Sequence, residues 1–177
     1  MNTHKLTTLA LFATLSLIIY SVESLIPPLV PIPGIKLGLA NIITLVVLIA
    51  FSYKAALLVL FVRILLSSLL FGQAMSLMYS MIGGLFCFVV MWAINTLLQG
   101  RFLFLTSAFG AIAHNLGQLF CAYLITKVPG VISYLPFLIL SGAITGLFTG
   151  LCAHFTIQKL MPAVAHLPFF PKEDDDN

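Results

Sequence analysis

The stretch G-A-I-A-H-N-L-G-Q, residues 110–118, places three polar side chains inside an apolar run that extends from residue 102 to residue 126. His114 and Gln118 are four residues apart and share a helix face, which Asn115 overlaps. An unpaired amide in hydrocarbon costs several kcal/mol, so these side chains need polar partners. Interhelical hydrogen bonds, worth about 0.6 kcal/mol each on average in membranes, would account for one of them. Three together predict a polar cavity that binds a polar ligand.

Arg63 lies in the middle of another apolar run, and Glu23 lies near the end of the first one. A charged side chain at mid-membrane costs a few kcal/mol or more and reaches the interface poorly, so Arg63 must face the protein interior. Two partners are open to it: a structural ion pair with Glu23, the only carboxylate within an apolar run, or an anionic ligand. The sequence alone favours neither.

Lys36 and Asn41 lie at the predicted start of the second apolar helix, and Tyr79 lies early in the fourth. The free N–H groups and positive dipole end of a helix N-terminus attract anions. The preceding connection, P-P-L-V-P-I-P-G at residues 27–34, contains four prolines and is expected to be extended and stiff. These features predict one site for a small anionic or strongly polarised molecule near the outer membrane face. Its predicted residues are Glu23, Lys36, Asn41, Arg63, Tyr79, His114, Asn115 and Gln118.

The amino-acid composition indicates that the helices carrying these residues lie in a membrane. The chain is 61% hydrophobic and 7% charged, with a mean hydropathy of +1.15, whereas an average soluble domain is about a quarter charged. We expect an all-α membrane protein, a compact bundle of six transmembrane helices. It forms a single domain over residues 1–170, followed by a disordered acidic tail over residues 171–177.

Prolines, glycines and single charges divide the chain into six predicted spans: 6–26, 37–52, 55–70, 74–98, 102–126 and 132–159. The second and third are each about 24 Å long, less than the roughly 30 Å of a hydrocarbon core, so neighbouring helices must shield them or they must begin inside a water-filled cavity. The distribution of Lys and Arg near the span ends favours both termini in the cytoplasm. On that side lie Lys5, Lys54, Arg101, Lys159 and Lys172, and on the other lie Lys36 and Lys127.

Small residues repeat at four-residue intervals in two places. The pattern G-x-x-x-G-x-x-x-G at residues 142–150 lets another helix backbone approach closely, and packing within the bundle is favoured over a partner interface. A weaker small-residue face on the first helix comprises Ala10, Ala13 and Thr14. It lies near the predicted cytoplasmic end, where a partner helix could dock.

No residue pattern predicts a metal, a cofactor or a catalytic centre. Cys87, Cys121 and Cys152 sit singly in apolar runs, without Cys-x-x-Cys spacing. The sequence has no G-x-x-x-x-G-K-[ST] loop, and its one run of Asp lies in the polar tail. His114 and His154 lie at different predicted depths, which argues against paired haem ligation. We therefore expect a protein that is not an enzyme and holds no cofactor.

Several segments resemble one known family. The strings V-E-S-L-I-P-P (22–28), P-G-I-K-L-G-L-A-N-I (33–42), L-M-Y-S-M-I-G-G (77–84) and G-A-I-A-H-N-L-G-Q (110–118), with the Arg63 region, are similar to the Gx transporter family. That family is labelled heptaprenyl diphosphate synthase component I and is similar to the substrate-binding S components of energy-coupling factor (ECF) transporters.

The resemblance implies a six-helix protein of the bacterial cytoplasmic membrane with both termini inside. The ligand would bind near the outer face, beneath the connection between the first two helices. The partners would be a transmembrane coupling protein and two cytoplasmic ATPases, docking on small residues of the first helix. The expected Ala-x-x-x-Ala pattern is present here as Ala10-x-x-x-Thr14.

Residues and resemblance together predict an S component that captures a small anionic or amphiphilic metabolite, with the family label pointing to isoprenoid or quinone metabolism. The alternative is a non-catalytic membrane subunit that recruits or stabilises a soluble prenyl diphosphate synthase. Prenyl diphosphate synthesis is expected to use paired Asp-rich motifs that hold Mg²⁺. This sequence has a single run of Asp, at residues 174–176, so we do not expect it to catalyse that reaction.

Overall fold

The computed structural model describes residues 3–26, 36–71, 74–160 and residue 162. Within them lie six α-helices: α1 Thr3–Glu23, α2 Asn41–Ala50, α3 Tyr53–Phe71, α4 Ala74–Leu97, α5 Leu103–Thr126 and α6 Leu135–Phe155. These residues contain no strand, so the all-α prediction is confirmed. The predicted proline-rich connection (27–34) and acidic tail (171–177) lie outside the described residues.

Five of the described helical segments are long and apolar enough to cross a membrane, and α2 is a shorter apolar helix. Many large apolar side chains are exposed on the outside of the bundle, among them Leu69, Leu140 and Phe148. In water this surface would be unfavourable, whereas lipid tails solvate it. The chain is therefore a multi-pass membrane protein, as the composition predicts.

The sixth predicted span, residues 132–159, is divided in the structure. A 3-10 helix, Pro129–Tyr134, leads into α6, and a π-helical turn, Thr156–Leu160, follows it. Pro129 and Pro136 both lie at the first turn of a helical segment, where a missing N–H group is tolerated. The other predicted spans agree with the observed helices to within a few residues, except for α2.

α2 begins later than predicted because Gly38 has a positive φ of 81° and Leu39 and Ala40 form a turn. The helix has ten residues, of which seven are buried, and it is about 15 Å long. It contacts α1, α3, α4, α5 and α6, so protein rather than lipid surrounds it. The prediction that neighbours must shield the second helix is confirmed.

The repeated glycines of α6 pack against α5. A Cβ added at Gly146 would lie 2.5 Å from Ala108 Cα, and one at Gly150 would lie 2.7 Å from Phe104 Cα. Such distances are too short for any side chain, so the two backbones are in direct contact. Packing within the bundle therefore accounts for this motif, as predicted.

Candidate functional site

The short α2 brings three polar side chains from separate helices to one height in the bundle. Asn41 is the first residue of α2, about 14 Å along the helix from Ala50. Arg63 lies about 15 Å above the start of α3, and His114 about 17 Å above the start of α5. Since all three helices are counted from the same end of the bundle, these side chains lie at nearly equal depth. All three are buried.

Asn41 connects the other two side chains. Arg63 Nη2 donates to Asn41 Oδ1 over 3.0 Å, and Asn41 Nδ2 lies 3.2 Å from His114 Nδ1. A guanidinium has no acceptor, so the amide oxygen must face it and the amide NH₂ must face the imidazole. His114 Nδ1 is therefore the acceptor, and the ring is neutral with its proton on Nε2. Arg63 and His114 point toward the same interior, which the predicted polar site requires.

Two glycines hold the His114 ring. A Cβ added at Gly38 would lie 2.7 Å from His114 Cδ2, and one at Gly83 would lie 3.0 Å from His114 Cε1. The ring thus lies between the chain before α2 and the backbone of α4. Gly117 lets α4 and α5 approach closely here, because its Cβ would meet Gly83 Cα at 3.0 Å. Glycine is needed at residue 38 for both its positive φ and this contact.

Glu23 caps the turn that leads into α2. Its Oε1 accepts a hydrogen bond from the Gly38 N–H group over 2.6 Å, while Asn41 N and Ile42 N donate to the carbonyls of Gly38 and Leu39. The expectation of free N–H groups for a ligand at this helix start is therefore wrong for these positions. The hydrogen-bond acceptor of Arg63 is Asn41, not Glu23, so no direct hydrogen bond joins the acid to the guanidinium in the described residues.

Side chains of α1 and α5 hold the segment Lys36–Asn41, which we call the α2 lead-in. Lys36 Nζ lies 2.6 Å from Ser24 Oγ and 3.6 Å from the centroid of the Tyr20 ring. The backbone N–H of Lys36 donates to Gln118 Oε1 over 3.3 Å. Ser16 Oγ donates to the Ala40 carbonyl over 3.1 Å. The lead-in is thereby tied to both helices.

Sequence reasoning predicted Glu23 but missed three other residues of this part of the chain that hold the lead-in. Ser16, Tyr20 and Ser24 recur every four residues and so share one helix face. The Tyr20 hydroxyl also lies 2.7 Å from Ser76 Oγ at the start of α4. The four-residue spacing of hydroxyl residues on a transmembrane helix was the available signal.

Several buried polar atoms near the lead-in have no hydrogen-bond partner among the described residues. Arg63 Nε and Gln118 Nε2 are donors without an acceptor, and Thr44 Oγ1, one turn below Asn41, is also unpaired. Arg63 and Gln118 are 2% and 1% exposed. A buried polar group left unpaired costs about 1–3 kcal/mol, and more when it is charged. The arrangement can therefore accept hydrogen-bond acceptors, such as the oxygens of an anion.

Two predicted site residues lie outside this hydrogen-bonded network. Tyr79 is 2% exposed and belongs to an apolar cluster with Leu119 and Leu138. Asn115 Nδ2 donates to the Leu138 carbonyl over 2.8 Å, so it joins α5 to α6, although its Oδ1 is unpaired. The other six, Glu23, Lys36, Asn41, Arg63, His114 and Gln118, are linked to the lead-in. Ligand binding by any of the eight stays a prediction.

The predicted docking residues of α1 divide between two faces. Ala10 and Thr14 are exposed, and Thr14 Oγ1 donates to the Ala10 carbonyl over 2.9 Å. Ala13 is 4% exposed and packs in the core with α2 and α3. A partner helix on this part of α1 could reach Ala10 and Thr14, whereas Ala13 is covered by the bundle itself.

The cysteines are free thiols: Cys87 and Cys121 are buried and Cys152 is half-buried. No group of three His, Cys, Asp or Glu side chains that could hold a metal ion occurs in the part of the chain that the structure describes. The chemistry of the site is therefore that of two cations, one carboxylate, amides and an imidazole.

Comparison with known proteins places these residues in one family. Residues 12–156 match the family described as heptaprenyl diphosphate synthase component I. No curated protein and no solved structure matches the chain. The matched range runs from α1 to the π-helical turn after α6 and includes all eight predicted site residues. The chain therefore belongs to the heptaprenyl diphosphate synthase component I family.

Proposed function

We propose that this protein is the substrate-binding membrane subunit of an ECF-type uptake transporter. It captures a small anionic or amphiphilic metabolite beside the α2 lead-in. The observation that carries the proposal is a pair of buried donors, Arg63 Nε and Gln118 Nε2, that have no acceptor among the residues that the structure describes. A purely structural network would leave few such donors unpaired, because each one opposes folding.

Charge supports the same conclusion. Arg63 is buried, and its hydrogen-bond acceptor is the neutral amide of Asn41. A guanidinium in a low-dielectric interior is stabilised far better by an anion than by an amide. A bound anion would therefore add more binding energy here than at any exposed cation of this chain.

The α2 lead-in follows the proline-rich connection, residues 27–34, after one residue in sequence, and in this proposal the lead-in covers the ligand from the outer face. The sequence carries no ATP-binding loop, so the energy for release comes from partners. These are a transmembrane coupling protein and two cytoplasmic ATPases, in a bacterial cytoplasmic membrane, with both termini of this subunit inside.

Native mass spectrometry of the detergent-purified protein tests ligand capture. We expect a small molecule bound to the parent and absent from Arg63→Met, because the substitution removes the buried charge. Lys54→Met is the matched control, since it removes one charge from an exposed side chain at the start of α3, about 14 Å along the helix from Arg63. Equal ligand occupancy in Arg63→Met and in the parent would overturn the proposal.

Co-purification tests the partners. Leucine at Ala10 and Thr14 adds bulk to the exposed small-residue face of α1 and should release the coupling protein and ATPases without affecting ligand occupancy. Ala93→Leu, which adds bulk to an exposed position on α4, is the control and should retain them. Loss of partners in both variants would mean that the α1 face is not a specific docking surface.

The family description favours a second candidate, a membrane subunit that recruits a soluble prenyl diphosphate synthase. The same pull-down separates the two functions. Recovery of ATPase subunits supports uptake, whereas recovery of a soluble synthase without ATPases supports recruitment. In neither case does this chain supply the catalytic groups.

A further inference from the structure

The unpaired donors indicate which chemical class of head group the ligand carries. An inference about that class rests on the proposed function. Within the described part of the chain, Arg63 Nε and Gln118 Nε2 both lack an acceptor. Both side chains also hold the lead-in, since Arg63 donates to Asn41 and Gln118 accepts from the Lys36 N–H group. Two free donors beside one short segment fit a head group with two acceptor oxygens.

The network around the lead-in contains three charged side chains among the described residues: Lys36 and Arg63 are positive and Glu23 is negative, so its net charge is +1. Lys127 lies at the same end of the bundle but is exposed at the end of α5. The stretches 27–35 and 72–73, which the structure does not describe, contain no charged side chain. His114 is neutral, because its Nδ1 must accept from Asn41. A ligand with one negative charge is therefore neutralised, and one with two or three is not.

Two of these charged side chains, Lys36 and Glu23, already contact other groups of the protein. Lys36 Nζ lies against Ser24 Oγ and over the Tyr20 ring, and Glu23 accepts the Gly38 N–H group. Magnesium commonly accompanies diphosphates in protein sites and is held by one or two carboxylates. The one carboxylate of this network already accepts a hydrogen bond from the lead-in, so a magnesium–diphosphate complex would have to share it.

We infer that the site takes a monocarboxylate head group rather than a diphosphate. The two carboxylate oxygens accept hydrogen bonds from Arg63 Nε and Gln118 Nε2. A planar carboxylate suits a guanidinium donor and adds the one negative charge that the site lacks. A diphosphate would leave excess negative charge among buried groups, which opposes its binding.

A ligand series on the unmodified protein tests this inference. The melting temperature of the detergent-purified full chain is measured against hexanoate, hexanamide, adipate, and inorganic pyrophosphate with and without Mg²⁺. Hexanamide controls for the apolar tail without the charge, and adipate adds a second charge. We expect hexanoate to stabilise the protein at concentrations about tenfold lower than adipate or pyrophosphate, a difference equivalent to about 1.4 kcal/mol.

Glu23→Gln provides a specificity test. The glutamine oxygen still accepts the Gly38 N–H group, but the net charge of the site becomes +2. We expect the preference for hexanoate over pyrophosphate to fall by about tenfold, the factor that corresponds to about 1.4 kcal/mol. Arg63→Met should abolish stabilisation by hexanoate. If that variant does not fold, the ligand series and Glu23→Gln still decide.

The possible outcomes distinguish failure of the monocarboxylate inference from failure of the proposed function. Pyrophosphate that binds the parent as tightly as hexanoate, and loses binding in Arg63→Met, overturns the monocarboxylate inference and leaves anion capture standing. Equal stabilisation by hexanoate and hexanamide also overturns it, because the charge would then contribute nothing. If none of these anions stabilises the parent, both the inference and the proposed capture site are overturned.

Discussion

Asn41 links two helices to α2, and its replacement by leucine tests whether this link holds the site together. Leucine branches at Cγ as asparagine does and is larger, so the change removes the hydrogen bonds without leaving a cavity. It deprives Arg63 Nη2 of its acceptor and His114 Nδ1 of its donor. Both side chains are buried, at 2% exposure each, so water does not readily replace Asn41.

The expected loss of stability in Asn41→Leu follows from these two contacts. Each buried group left unpaired costs about 1–3 kcal/mol, so Asn41→Leu should lower the free energy of unfolding by roughly 2–6 kcal/mol. Polar pairs between membrane helices contribute on average about 0.6 kcal/mol. The Arg63–Asn41 bond involves a charged donor, and such bonds contribute about 1.5–3 kcal/mol. The pair should therefore exceed the membrane average clearly.

The assay is reversible unfolding in mixed micelles, applied to Asn41→Leu, Arg63→Met and the double variant. The coupling energy of this cycle isolates the pair from the effects of each single change. Thr44→Val is the matched control one turn along the same helix, because its hydroxyl is buried and already unpaired. We expect Thr44→Val to be neutral or slightly stabilising.

A coupling energy of about 0.6 kcal/mol or less would refute the reasoning, because Asn41 and Arg63 would then be an ordinary interhelical pair. A large loss in Thr44→Val would refute it as well. In that case any change at this depth of α2, and not the hydrogen bonds of Asn41, would be the cause.

Three further predictions concern packing, accessibility and orientation. Gly146→Ala should lower the free energy of unfolding in mixed micelles by about 1–3 kcal/mol, because the added methyl group overpacks against α5. Gly130→Ala is the control and should be neutral in the same assay, because its Cβ would meet only a side chain at 3.8 Å. Cys152 should react with maleimide in the folded protein while the two fully buried cysteines react only after denaturation, as mass spectrometry would detect. In a cysteine-free background, an impermeant maleimide should label Val128→Cys on intact cells and Leu97→Cys only after permeabilisation, and the reverse pattern would contradict cytoplasmic termini.

The fold was largely predictable because the hydrophobic requirement acts on each segment separately. Apolar runs, prolines and glycines mark where a helix can begin and end in lipid, so four of the six predicted spans agree closely with the structure, and the sixth is divided into three helical segments. The start of α2 was not predictable in the same way. Leu37 to Ala40 are apolar or small and compatible with a helix, and the positive φ of Gly38 arises where the lead-in packs on His114.

The candidate site was predictable only as a set of costly residues. The sequence identifies Arg63, His114 and Gln118 as side chains that lipid cannot accommodate. It could not tell that Asn115 joins α6 or that Tyr79 lies in an apolar cluster. Both depend on which way a helix faces, which a nearly uniform apolar sequence does not indicate.

The amino-acid sequence by itself determined that this chain is an all-α membrane protein with a few buried polar groups that need partners, since both follow from the cost of exposing apolar surface to water and polar groups to lipid. The tertiary structure alone decided which of those groups meet. The ten-residue α2 begins at mid-depth and so brings Asn41, its first residue, between Arg63 and His114. Glu23 caps its lead-in. These contacts join residues from 15 to 73 positions apart, and such pairings depend on how helices pack rather than on any local preference.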